Sequence, residues 1–333
     1  MNIKEPLVSI CCITYNHENY IRDAIEGFIA QKTTFSFEII IHDDASTDGT
    51  VKIIKEYARK FPDLIIPIYQ SENQCAKGNK VWLDYIYPRT RGKYIALCEG
   101  DDYWIDPLKL QKQVEFLEMN PDYGLVHTHY AKYIQGENKF YRKTFSWYSN
   151  IRDGYVLDEI IQNDFIKTLT VCYRKNLIED DFSKMITDLR NARAFTGDRL
   201  LWIYLASKTK IKYFSQEMAI YRVLNSSASH FTNYYDEYNF YNSIKILEEY
   251  CVQKFDVSNT TVENIKYKWD WYNLRHCFII IDKKNIKYYI NNMINNNKYI
   301  VKTAIISIII LNDKIWAWVV SIFMKRKYLF KKL

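Results

Sequence analysis

The sequence predicts an α/β protein: a single doubly wound, mostly parallel sheet followed by a helical C-terminal extension. Three observations carry the prediction. Strand-like and helix-like hydrophobic periods alternate through the first third of the chain. The strand segments are almost continuously apolar, as strands covered by helices on both faces must be. Three of them end in polar clusters, and in such sheets ligands bind beyond the carboxyl ends of the strands.

Residues 8–15 are an apolar, β-rich run, after which Asn16, His17 and Glu18 open a segment with Ile21, Ala24, Ile25, Phe28 and Ile29 at helical spacing. Residues 37–41 repeat the strand signal. It breaks at Asp43-Asp44-Ala45-Ser46-Thr47-Asp48-Gly49, where Ser46, Thr47 or Asp48 is expected to cap a helix marked by Val51, Ile54, Ala58 and Phe61. A third strand covers 65–69, a helix is expected at 80–87, and a fourth strand at 94–98 ends in Glu99-Gly100-Asp101-Asp102. Asp106 and Pro107 supply an N-cap and a first-turn proline for a helix turning Leu110, Val114 and Leu117 inward. Beyond Tyr130 the alternation weakens, and residues 233–297 are rich in Tyr, Asn and Lys with helical stretches.

With 333 residues, 48% hydrophobic and 26% charged, the chain can bury a large core and is not a disordered one. Its 29 Tyr, 17 Phe and 8 Trp suit packing against sugar rings, although coding bias is the better explanation of the enrichment. The net charge of +7 is concentrated late, at Lys325, Arg326, Lys327, Lys331 and Lys332, which suits an anionic membrane surface better than nucleic acid; no nucleic-acid partner is expected. Seven cysteines without C-x-x-C spacing argue against zinc and against a disulfide framework. The start shows no signal peptide, so a reducing cytoplasm is expected. In the tail, apolar runs at 304–311 and 315–324 are split by Asn312-Asp313-Lys314, and each is too short to span roughly 30 Å of hydrocarbon. An interfacial helix or hairpin anchored by Trp316, Trp318 and the terminal lysines is expected, with a buried helix or partner interface as its rival.

Glu99, Asp101 and Asp102 lie within four residues and repel one another unless something relieves the cost. A divalent cation does so economically: Mg²⁺ or Mn²⁺ takes one or two carboxylates and fills its other positions with water and phosphate oxygens. At Asp43-Asp44, capping needs only one residue of the segment, and the surplus carboxylate suits the N–H and hydroxyl groups of a base or ribose. Neither G-x-G-x-x-G nor G-x-x-x-x-G-K-[ST] follows the first strand, which excludes the dinucleotide-binding and P-loop phosphate cradles.

These segments together resemble the family 2 glycosyltransferases with the nucleotide-diphospho-sugar transferase fold, known as GT-A. The resemblance rests on Pro6-Leu7-Val8-Ser9-Ile10 with Thr14-Tyr15-Asn16, on Glu38-Ile39-Ile40-Ile41 with Asp43-Asp44-Ala45-Ser46-Thr47-Asp48-Gly49-Thr50, and on Gly92-Lys93-Tyr94-Ile95-Ala96 with Glu99-Gly100-Asp101-Asp102, in that order, and spans about residues 5 to 225. It implies a nucleotide diphosphate sugar donor, UDP-linked by expectation, and a glycan or lipid-linked glycan acceptor. By the same resemblance Thr14, Tyr15, Asn16 and Asp44 hold the nucleotide, Asp101 addresses the ribose or sugar, and Asp102 ligates Mn²⁺ or Mg²⁺. Glu99 stands where many members have Asp, Asn73 and Lys80 fall where relatives contact base or diphosphate, and Arg222, with Ser227, Ser229 and His230, resembles a loop closing over the diphosphate. Thr196-Gly197-Asp198-Arg199-Leu200-Leu201-Trp202 resembles the late acidic motif whose carboxylate is the general base. Read from the residues alone, Asp198 is better explained as the N-cap of the helix marked by Leu200, Leu201, Ile203, Tyr204 and Leu205.

The expected organisation is a donor-binding and catalytic domain over 1–230, a helical extension over 231–298 and a basic amphipathic tail over 299–333, peripheral at the cytoplasmic face of a membrane. Two other readings stay open: a sugar nucleotidylyltransferase, whose Gly-rich phosphate loop is replaced here by Cys11-Cys12-Ile13-Thr14-Tyr15-Asn16, and a non-catalytic membrane-associated nucleotide-sugar-binding or scaffold protein.

Overall fold

The central strand, β1 (Val8–Thr14), pairs in parallel with β2 (Phe37–Asp43), and β2 pairs in parallel with β3 (Ile65–Tyr69). On its other side β1 pairs in parallel with β4 (Tyr94–Leu97). Ile10, Ile39, Ile40, Ile41 and Ile95 are wholly buried, so the apolar runs are covered on both faces as expected. α1 (Ile21–Ile29) returns from β1 and buries Ile21, Ala24, Ile25 and Phe28; α2 (Thr50–Lys60) returns from β2 and buries Ile53, Ile54 and Tyr57. The computed structural model describes residues 5–142, 151–194, 197–224 and 234–289, the last range without 281, 283, 284 and 287.

The second half of the sheet is mixed. After β5 (Tyr103–Trp104) and α3 (Lys109–Met119), β6 (Tyr123–Ile134) forms a hairpin with β7 (Lys139–Tyr141). α4 (Leu157–Gln162), β8 (Cys172–Arg174), α5 (Asp180–Asn191), α6 (Arg199–Lys208) and β9 (Lys210–Val223) complete this part. The strand order is β3-β2-β1-β4-β8-β6-β9-β5, with β7 beside β6. β8 runs antiparallel to both β4 and β6, β5 antiparallel to β9, and β6 parallel to β9. The sheet is therefore parallel from β3 to β4 and mixed beyond, where β8 is too short to carry a legible period.

Two elements differ locally from expectation. At 80–87 only a π turn, Trp82–Ile86, and a 3₁₀ turn, Tyr87–Arg89, are present, because Pro88 has no amide to continue a helical ladder. α3 starts at Lys109, later than Asp106 and Pro107 suggested: Asp106 Oδ1 accepts from the Leu108 amide at 2.8 Å and caps a turn ahead of the helix.

The chain divides into two compact units, Met1–Thr232 and Asn233–Leu333. In the second, α7 (Tyr234–Lys254) pairs with α8 (Asn259–Ile280), and Glu248 is buried while accepting from Lys268 Nζ at 2.6 Å and Trp269 Nε1 at 2.7 Å. No helix among the described residues is long and apolar enough to cross a membrane. The tail, 299–333, lies outside the described residues.

Candidate functional site

The loops that follow β1 and β2 are stitched together. Asn16, with a positive φ of 55°, donates its amide to Ser46 Oγ at 2.8 Å, and its Oδ1 accepts from the Thr47 amide at 2.8 Å. The α2 N-terminus is shared by two carboxylates: Asp48 accepts from the Thr50 amide at 2.9 Å, and Glu18 from the Gly49 amide at 2.6 Å. Gly49 itself holds the N-cap position, so Asp48 serves this end of α2 from one residue before the cap. Thr14 is buried at the β1 tip, and its hydroxyl has no partner among the described residues; Tyr15 beside it is 43% exposed. β1 and the loop after β4 approach closely at Gly100, where a Cβ would stand 2.6 Å from Thr14 Oγ1, so only glycine fits.

Asp44 is buried, and both its oxygens are engaged, Oδ1 by the Gln74 amide at 2.8 Å and Oδ2 by the Cys75 amide at 3.0 Å. It holds one end of the loop that contains Asn73 and Lys80. Asn73 Oδ1 accepts from the Ala76 amide at 2.6 Å inside that loop, and Lys80 Nζ donates to Thr187 Oγ1 on α5 at 2.8 Å. Asn73 and Lys80 therefore brace the loop that was expected to reach a base or diphosphate.

Arg222 also differs from expectation. Instead of standing free for phosphate, its guanidinium is only 5% exposed and sandwiched between Tyr20 and Tyr103, 4.9 and 5.0 Å from their ring centres. It donates to the Asp101 carbonyl at 2.7 Å and to Asp23 at 2.6 Å. Its backbone N–H donates to Asp102 Oδ1 at 2.8 Å. β9 so clamps the acidic loop to α1: Nη1 and Nη2 of the buried arginine bolt that loop in place, while its Nε has no hydrogen-bond partner among the described residues. Ser227, Ser229 and His230 lie outside the described residues.

The loop after β4 presents Glu99, Asp101 and Asp102, and the fold brings Asp198 to it from far along the chain. The Thr168 hydroxyl donates to Asp198 Oδ2. Asp198 sits at the N-cap position of α6, yet its side chain caps nothing. The capping alternative is therefore not what the carboxylate does: it points at Thr168. Burial, then Asp198 and Asp101, push the Glu99 carboxyl up to about 8. Asp198 is itself raised by burial and by Asp164, against the opposing pull of the Thr168 hydroxyl and Lys167. Asp102 is raised well above the carboxylate range by burial, Asp101 and Glu99.

Thr168 and Lys167 carried no motif and escaped the sequence reading; both belong to the stretch between α4 and β8, and Lys167 is paired with Asp164 at 2.7 Å. His127 and His129, which alternate on β6, both meet Tyr213, with His127 wholly buried and pushed down to about 3 by burial. A neutral core histidine is its role. A base at Asp198 must be ionised to act, so the rate is expected to fall on the acid side at a higher pH than an unperturbed aspartate would set. In Thr168→Val the hydrogen bond that favours the ionised form is lost, and the acid limb of kcat should move to higher pH. A limb that stays in place in a pH–rate profile would remove Asp198 as the titrating group.

Among the described residues no three His, Cys, Asp or Glu side chains form a ready-made metal cage. Asp101 and Asp102 nevertheless fit a hard divalent cation: adjacent on the loop, they repel one another, and Asp102 keeps acceptor capacity beyond the Arg222 amide. Mg²⁺ and Mn²⁺ take one or two protein carboxylates and draw their other ligands from substrate and water.

Residues 9–181 match the family described as Glycosyl transferase family 2. Over 216 residues the chain is 38% identical to Rv1520 of Mycobacterium tuberculosis, a match covering 65% of this chain and 58% of that one. It is 30% identical over 226 residues, 68% of this chain and 82% of the other, to TuaG of Bacillus subtilis, named as a candidate teichuronic acid biosynthesis glycosyltransferase. The fold is similar to that of S. aureus TarS residues 1–349, solved with UDP-GlcNAc, with a TM-score of 0.54 at 16% identity over 87% of this chain and 79% of that one. The match spans little more than half the length of Rv1520. With the family pattern running from the first strand through the acidic loop into α5, and a GT-A sheet beneath it, this chain belongs to glycosyl transferase family 2.

Proposed function

We propose that this protein is an inverting glycosyltransferase that moves a sugar from a UDP-linked donor to a hydroxyl of a glycan or lipid-linked glycan during cell-surface polysaccharide assembly. The observation that carries the reading is the meeting of Asp198 with the acidic loop across Thr168. TuaG supports the polysaccharide context by its name, and TarS, solved with UDP and with UDP-GlcNAc, supports the donor class.

In this reading Thr14, Tyr15, Asn16 and Asp44 form the nucleotide side of the site, and Asp101 faces the ribose or sugar. Asp102 would hold Mn²⁺ or Mg²⁺, which would supply positive charge to offset that of the leaving diphosphate. Asp198 removes the proton from the acceptor hydroxyl as that oxygen attacks the anomeric carbon. The Thr168 hydroxyl and the Lys167 ammonium hold Asp198 ionised against the burial that favours its proton. A base on one side of the sugar and a stabilised leaving group on the other give a single displacement with inversion, as in inverting glycosidases. Residues 299–333 are proposed to touch an anionic membrane at its cytoplasmic face, which vesicle flotation of the chain cut after Lys298 decides.

The test is release of nucleoside diphosphate from a panel of nucleotide sugars, with Mn²⁺ or Mg²⁺ and with chelator. A metal-dependent release from at least one donor, with an inverted anomeric centre in the transfer product by NMR, is expected. No release from any donor with either ion would overturn the enzyme assignment, and undiminished release in chelator would overturn the metal.

A further inference from the structure

Lys109 is wholly buried, and no carboxylate bonds to its ammonium among the described residues. Its Nζ donates to Gln113 Oε1 at 2.8 Å and lies 4.1 Å from the centre of the Trp104 ring. Taking an ammonium out of water without a counter-ion is costly, and a well-packed apolar side chain of similar length would hold the same space at less cost. Burial accordingly pushes the group down to about 8, with Cys172, Cys98 and Asp106 opposing. A charge kept at such cost has a job that an apolar side chain does not do.

The job is visible in its two neighbours. An ammonium only donates, so Gln113 must turn Oε1 toward it, which aims Nε2 at the Thr170 carbonyl (2.9 Å) and the Val126 carbonyl (3.1 Å). The cation on the Trp104 face holds that ring while its Nε1 donates to the Leu169 carbonyl at 2.8 Å. Both arms thus end on the turn Thr168–Thr170, which Thr170 Oγ1 closes by donating to the Lys167 carbonyl at 2.6 Å. Thr168, first in that turn, is the donor to Asp198.

We propose that Lys109 is a positioning residue for sugar transfer: through Gln113 and Trp104 it fixes the turn Thr168–Thr170 so that Thr168 holds Asp198 in its working orientation. This rests on Asp198 being the base. Lys109→Met keeps the length of the stem and removes the buried charge but leaves Gln113 Oε1 without its donor, two opposing effects that should keep its melting temperature near that of the parent. Its kcat should nonetheless fall by roughly 10- to 100-fold, the order expected for a displaced catalytic group, with the donor KM unchanged. Trp104→Phe keeps an aromatic face but loses the N–H to Leu169, and should show the same split; it decides the matter if Lys109→Met does not fold. Folded variants with the parent kcat, or with the donor KM rising as much as kcat falls, would overturn the proposal. Asp198→Asn run in parallel separates the two failures: if it transfers at the parent rate the base assignment is wrong, and if it does not while both other variants do, only the role of Lys109 is.

Discussion

Asp198→Asn is expected to lower sugar transfer by roughly 10²- to 10⁴-fold while donor affinity stays near that of the parent. The amide keeps the shape of the carboxylate and can still accept from the Thr168 hydroxyl, but it cannot take the acceptor proton. Stability should move the other way. Asp198 binds its proton more tightly folded than unfolded, because burial and Asp164 raise its pKa. Its contribution is therefore full below the ordinary carboxylate pKa and is lost as pH rises toward the raised value. At neutral pH the ionised side chain is a cost that Asn does not carry, so Asp198→Asn should melt no lower, and by this term higher, than the parent. Loss of transfer without loss of stability marks a group kept for chemistry. Transfer at nearly the parent rate would place the base elsewhere, and a lost donor affinity would place Asp198 at the diphosphate.

Asp102→Ala is expected to remove metal-supported donor binding and, at the same time, to lower stability by about 1–3 kcal/mol, because the Arg222 amide is left buried without its acceptor. Asp102→Asn separates the two effects. Its Oδ1 can still accept from Arg222, so the acidic loop stays clamped to β9, but the charge that holds a divalent cation is gone. Calorimetric titration of donor with Mn²⁺ should then show binding weakened to the level the parent reaches in chelator, with a melting temperature near that of the parent. Donor binding by Asp102→Asn that remains as tight and as metal-dependent as in the parent would take the metal away from Asp102.

The two carboxylates were not equally legible in the sequence. Asp102 follows an apolar strand directly, and a strand's carboxyl end in a doubly wound sheet is a ligand rim, so a local pattern and a topological rule suffice to place it. Asp198 stands at a helix start, where capping and catalysis predict the same residue type. Only its partner distinguishes them, and Thr168 belongs to a stretch with neither motif nor period. Arg222 and Lys80 were assigned to the donor from the resemblance alone, which carries no information on their partners; here one is sandwiched between Tyr20 and Tyr103 and the other is bound to α5.

The sequence by itself determined the alternation of strands and helices from β1 to β4, the doubly wound class, and the acidic clusters at the tips of β2 and β4. These depend on hydrophobic period and composition over a few neighbouring residues, which a linear chain records directly. Tertiary structure alone decided that the sheet turns mixed beyond β4, that Asp44 is engaged by the Gln74–Cys75 amides, that Arg222 points inward, and that Lys109 underlies the turn that meets Asp198. In each of these the deciding contact joins residues far apart in the chain. A donor or acceptor acquires its role from the partner that folding brings to it, and no local pattern names that partner.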